Sequence, residues 1–161
     1  MEHAWYCDAL AAELGRFADT ARGVDPATPV PTCAPWDLGR LLKHVGLIHR
    51  WAEQMVREGS DTAVDQRSLD LGLPDDREDY PEWLAAGAKQ LVATLRAADP
   101  DRPMWAWGPD QHARFWSRRM VHEAVIHHAD AQLAVHATPR VDPDLAVDGI
   151  DEFLEILPSA V

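Results

Sequence analysis

Residues 38–56 carry apolar side chains at a spacing that suits one kind of backbone. Leu38, Leu41, Leu42, Val45, Ile48, Ala52, Met55 and Val56 recur every three or four positions. At 3.6 residues per turn they form one continuous stripe along a helix. A strand would scatter the same residues over both faces. Such a stripe needs partners, so the chain must fold as helices packed on helices or on a sheet. Asp37 is placed to cap the start, and Gly59 to stop the end.

Four more segments have helical spacing, divided by stretches rich in Pro, Gly and Asp. The first runs from about Trp5 to Arg22, with Leu10, Leu14, Phe17 and Ala21 in phase, and Gly23 ends it. Asp25 to Pro35, with four prolines, is loop. Residues 60–79 are polar and acidic and read as a long surface loop. The third helix covers about Pro81 to Ala98, with Leu84, Ala88, Leu91 and Leu95 inside. Met104 to Trp107 reads as a short extended piece. The fourth helix spans about His112 to His136, with Trp116, Met120, Ala124, His127, Ala131 and Ala134 on one stripe. The fifth covers about Asp144 to Leu157, through Ile150, Phe153, Leu154 and Leu157. Alternating strand patterns are missing, so the expectation is an all-α bundle of four long helices with an additional C-terminal helix.

Composition narrows the function. At 161 residues and 47% hydrophobic, the chain reads as a single domain, residues 1–161, with a sizeable core. The net charge of −12 argues against nucleic acid, because no basic stripe is available to neutralise phosphates. It also disfavours an anionic membrane surface. No apolar stretch approaches the roughly 18 residues of a membrane span, and Met1-Glu2-His3-Ala4 lacks the start of a signal peptide. Two cysteines, Cys7 and Cys33, are too few for a secreted disulfide scaffold. The expected location is cytoplasmic. Lysine occurs only at 43 and 89, and the Arg and Ala bias suggests a GC-rich bacterial genome.

The fourth helix carries the chemistry. Glu123 and His127 are four residues apart and project from one face. Asp130 returns to that face one turn later. A carboxylate and an imidazole at this spacing are half of a zinc-type site. The neighbouring pair His122 and His127 lies about 140° apart around the helix and does not share a metal. A catalytic zinc takes three protein ligands and keeps a fourth position open. The best third ligand is His44, which borders the stripe of the second helix and can point into the bundle. His49 faces about 140° away from it.

Three blocks resemble one family. They are Val30-Pro31-Thr32-Cys33-Ala34-Pro35-Trp36-Asp37-Leu38 with His44 and His49-Arg50-Trp51-Ala52; Gly108-Pro109-Asp110 leading to Phe115-Trp116, Arg118-Arg119-Met120-Val121-His122-Glu123, His127 and Asp130-Ala131; and Asp142 to Leu154. In this order they are similar to the mycothiol-dependent maleylpyruvate isomerase family of actinobacteria, among the DinB-like metalloenzymes. The resemblance implies a DinB-like four-helix bundle and a divalent metal, usually zinc, on His44, Glu123 and His127. It implies a mycothiol-using isomerase or thiol transferase, in which thiolate adds to a small electrophile. In the isomerase case the cis double bond becomes single, rotates, and re-forms trans as thiolate leaves. Two departures stand out. The family's usual Cys-Pro-Gly-Trp is Cys-Ala-Pro-Trp at 33–36, and the smaller second domain common in the family is not included in this chain.

Roles follow for the surrounding residues. Glu123 and Asp130 are the expected catalytic carboxylates; Asp130 either holds a ligand imidazole, the favoured reading, or is a charge on the helix surface. Arg119 and Trp36 are the expected cofactor-binding residues. Arg118 and Arg119 either bind an acidic group or pair with surface carboxylates. Cys33 is expected to be a buried structural thiol. His3, His112, His128 and His136 are expected at the surface. Two other functions compete: a non-catalytic metal-binding module, closed by a fourth ligand such as His49 or Asp130, and a metal-dependent hydrolase.

Overall fold

The computed structural model describes residues 1–159. Five α-helices carry the chain: α1 (His3–Ala21), α2 (Leu38–Glu58), α3 (Tyr80–Ala97), α4 (Arg114–Ala134) and α5 (Pro143–Ile156). No strand forms among the described residues; Pro29 with Asp37 and Pro103 with His112 make isolated bridges only. No helix is long and apolar enough to cross a membrane.

The first four helices form a ring in the order α1, α4, α2, α3, and each packs on its two neighbours. The chain therefore crosses the bundle diagonally twice, from α1 to α2 and from α3 to α4. Both crossings need reach, and residues 22–37 and 98–113 supply it. Leu10, Leu14, Phe17, Leu41, Leu42, Met55, Leu84, Leu91, Leu95, Trp116 and Met120 fill the centre, essentially without solvent contact.

The expected stops of α2 are the observed ones. The Asp37 side chain accepts from the Arg40 N–H, and Gly59 takes a left-handed φ of 61° while its N–H bonds the Met55 carbonyl. Where α2 crosses α3, Gly46 lies against the ring of Trp83, and a Cβ there would collide with it. The ring is fixed on its other side by a bond from Nε1 to the Leu71 carbonyl, so it has no room to yield.

Several expectations need correction. The fourth helix begins at Arg114, because His112 is held extended in its bridge to Pro103. It ends at Ala134, just before His136 adopts a φ of 58°. The 60–79 segment is a surface loop as expected, with two short 3-10 turns, and Trp51 Nε1 on the Val64 carbonyl pins it to the bundle. His128 is buried, because its Nδ1 meets Glu13 at 2.5 Å and its Nε2 meets Thr20 Oγ1 at 2.9 Å, both on α1. His3 is half-buried between Ser117 and the Leu95 carbonyl, and His112 is half-buried against Asp110. Only His136 is at the surface as expected. On α5 the inward residues are Leu145 and Glu152, while Ile150, Phe153 and Leu154, and Leu157 just past its end, face outward.

Candidate metal centre

Adjacent packing of α2 and α4 brings His44 to Glu123 and His127. One ligand atom from each lies within 4.8 Å of the other two. His127 Nε2 is 3.2 Å from Glu123 Oε1, and His44 Nε2 is 3.6 Å from the same oxygen. Ligands of a tetrahedral zinc at their usual bond lengths are separated by ~3.3 Å, so the spacing suits a single ion. Two imidazoles and one carboxylate are also a donor set that zinc takes in catalytic sites. The His44 and His127 rings stand nearly perpendicular, 5.1 Å apart.

The surroundings orient each donor. Asp130 Oδ2 is 2.9 Å from His127 Nδ1, which leaves Nε2 facing Glu123. Asp130 is itself held, accepting from Thr32 Oγ1 at 2.6 Å and from Cys33 Sγ at 3.4 Å. Arg119 Nη2 donates to Glu123 Oε2 at 2.7 Å, which leaves Oε1 to the imidazoles. Trp36 packs on His44 with ring centroids 5.1 Å apart.

Charge follows the geometry. Burial alone would raise the Glu123 carboxyl, but hydrogen bonds from His127 and His44 and the charge of Arg119 hold it far below the usual carboxylate range. Burial would lower His127, but Glu123 and then Asp130 raise it. Both shifts favour a Glu123–His127 ion pair in the bare site, and a metal ion bound there would displace a proton from His127.

The expected residues fall out in three ways. His44, Glu123, His127 and Asp130 converge. Trp36 adjoins them through His44. Arg119 does too, but both its ends are engaged by carboxylates, Glu123 and Glu152. Arg118 is turned away, to Asp148 and Glu155. His49 is outside the triad: it is fully buried, and neither ring nitrogen has a hydrogen-bond partner among the described residues. Its burial depresses the imidazole to about 3, so it is neutral. No fourth protein donor shares the triad's spacing among the described residues; Asp130 groups instead with Cys33 and His127. Cys33 is half-buried beside Asp130 rather than buried in the core. Burial and then the Asp130 carboxylate raise its thiol, so it is protonated.

Sequence reasoning missed Thr32 and an open groove on the exposed side of His44. Arg40, Lys43 and Arg77 line this groove with Trp36 and Tyr80. Lys43 is one of two lysines in the chain, a faint signal. Arg77 comes from the 60–79 segment, and only folding brings it there.

A helical bundle with two imidazoles and a carboxylate converging from adjacent helices is the class that fold and site define. Residues 7–132 match the family model described as mycothiol maleylpyruvate isomerase N-terminal domain, and the chain belongs to that family. Comparison with curated proteins finds no match, and comparison with solved structures finds none either.

Proposed function

We propose that the chain is a metal-dependent enzyme that uses a low-molecular-weight thiol, mycothiol in its family, to act on a small electrophile. The reaction is cis–trans isomerisation or transfer of the thiol sulfur to the electrophile. The observation that carries this reading is the triad of His44, Glu123 and His127 at single-ion spacing, with no fourth protein donor at that spacing among the described residues. A divalent ion, most simply zinc, would supply a Lewis-acidic position that favours the thiolate form of a bound thiol.

The chain's own residues do the rest. With the ion bound, Asp130 would keep the proton on His127 Nδ1 and leave the Nε2 lone pair to the metal. Arg119 fixes the second oxygen of Glu123 and limits it to one ligand atom. Trp36 steadies the His44 ring. Arg40 and Lys43, with Arg77 beside them paired to Asp37, make a basic rim in a chain of net charge −12, which favours an anionic electrophile over a cationic one. The absence of a closing donor among the described residues favours turnover over a purely structural metal.

The test is activity on a cis-enone carboxylate with metal and thiol supplied separately and together. Turnover is expected only with both. Turnover with metal alone, on a hydrolysable substrate, would favour a hydrolase instead.

A further inference from the structure

His127 has a second ring nitrogen, and a second set of donors faces it. Nδ1 lies 2.9 Å from Asp130 Oδ2, and Cys33 Sγ lies 3.4 Å from the same oxygen. A sulfur, a nitrogen and an oxygen from these three residues all fall within 4.8 Å of one another. Around a tetrahedral zinc-sized ion such atoms sit ~3.3 to ~3.5 Å apart. The set is built as the triad is. Thr32 Oγ1 donates to Asp130 Oδ1 at 2.6 Å and leaves Oδ2 to Cys33 and His127, as Arg119 orients Glu123. Cys33 comes from the turn at Pro31–Cys33, and His127 and Asp130 come from α4. Cys33 and His127 are half-buried and Thr32 is exposed, so the cluster lies at the surface rather than in the core.

The donors decide what fits. An ion bound to sulfur removes the thiol proton outright. That exchange favours a soft ion, for which thiolate is the preferred partner, over one that takes nitrogen and oxygen equally well. The ring imposes a further condition, because a neutral imidazole has one lone pair to give. With an ion on Nε2, the proton sits on Nδ1 and donates to Asp130. With an ion on Nδ1, the proton sits on Nε2 and donates to Glu123 Oε1, 3.2 Å away. The two donor sets therefore use the ring in turn.

We propose that Cys33 Sγ, His127 Nδ1 and Asp130 Oδ2 form a second metal site, for a thiophilic divalent ion, and that filling it empties the triad. On binding, the Cys33 thiol gives its proton to solvent, the sulfur–metal bond forms, and His127 carries its remaining proton on Nε2. The site does not need His44 and does not rest on the function proposed above.

The test is titration of the His44→Ala chain with cadmium chloride. An ultraviolet sulfur-to-cadmium band should grow and saturate at about one equivalent, and equimolar zinc should leave it in place. Adding Cys33→Ser should abolish the band. Adding Asp130→Asn should weaken binding about tenfold, as loss of one charge-assisted contact does. In the zinc-loaded wild type the band should appear only as zinc is released, followed with a zinc-binding dye. If the variants fail to fold, cadmium must still shield Cys33 of the wild-type chain from iodoacetamide, as mapped by mass spectrometry. No band in His44→Ala, a band that zinc removes, that survives Cys33→Ser or that ignores Asp130→Asn, a band in the wild type with zinc retained, or an unshielded Cys33 would overturn the proposal.

Discussion

His127 and His128 are neighbours in the chain, yet they face different helices. His127 turns to α2 and joins His44 and Glu123, whereas His128 turns to α1 and pairs with Glu13. Their variants should therefore separate metal binding from stability. Elemental analysis is expected to find about one divalent ion per chain in the wild type and in His128→Ala, and none at stoichiometry in His44→Ala or His127→Ala. Loss of metal in His128→Ala alone would mean that the wrong face of α4 had been assigned to the site. The His128→Ala chain should instead be less stable by about 2 kcal/mol, because the buried Glu13 loses its His128 hydrogen bond and keeps only Arg16. Glu13 also sets a pH dependence. Burial would raise its carboxyl from 4.5, but hydrogen bonds from His128 and Arg16 win and hold it lower. The unfolded chain then takes up the proton first as pH falls. The stabilisation is complete above the ordinary value and is lost as pH drops through the folded one. Urea midpoints measured down from neutral pH should fall below pH 4.5 in the wild type, while Glu13→Gln should start lower and fall less steeply. At this scale the sequence was legible where residues share a helix face, as Glu123 and His127 do. It misplaced His128 at the surface, because the partner that buries it lies 115 positions away.

Helices α2 and α5 show what an apolar pattern does and does not determine. On α2 the stripe from Leu38 to Val56 lies inside throughout. On α5 and the residue after it, the comparable run Ile150, Phe153, Leu154 and Leu157 is 44–62% exposed, and Glu152 is inside. Periodicity reports that a face is apolar; whether another element covers it depends on the rest of the fold. Leu41→Ala should thus cost about 3 kcal/mol, as a cavity in a packed core does, while Phe153→Ser should stay within about 0.5 kcal/mol. Denaturant midpoints of the two variants check the contrast. The α2–α3 contact depends on Gly46 rather than on a large side chain. Gly46→Ala would improve helix propensity by about 1 kcal/mol in isolation. The collision with Trp83, whose indole is tied to Leu71, outweighs this, so the variant should melt below the wild type. A higher melting temperature would show that Trp83 yields.

Across the whole molecule, ring order is what makes the site. Neighbouring positions for α2 and α4 bring together residues nearly 80 positions apart, His44 and Glu123. The bundle and the convergence of these three side chains were readable in advance because helix phase put each on an inward face and the family resemblance pointed to the same three. The basic groove was not, since Arg40 and Lys43 on α2 meet Arg77 only after the 60–79 segment folds back over them. The central claim is that His44, Glu123 and His127 hold one metal ion with a position open to an outside thiol. The most direct measurement is the absorption spectrum of the cobalt-substituted chain during titration with mycothiol. An intense near-ultraviolet sulfur-to-cobalt band should appear and saturate in the wild type, and should be missing in His127→Ala. A cobalt-loaded wild-type chain whose spectrum does not change with thiol would contradict the account, as would a His127→Ala chain that develops the same band.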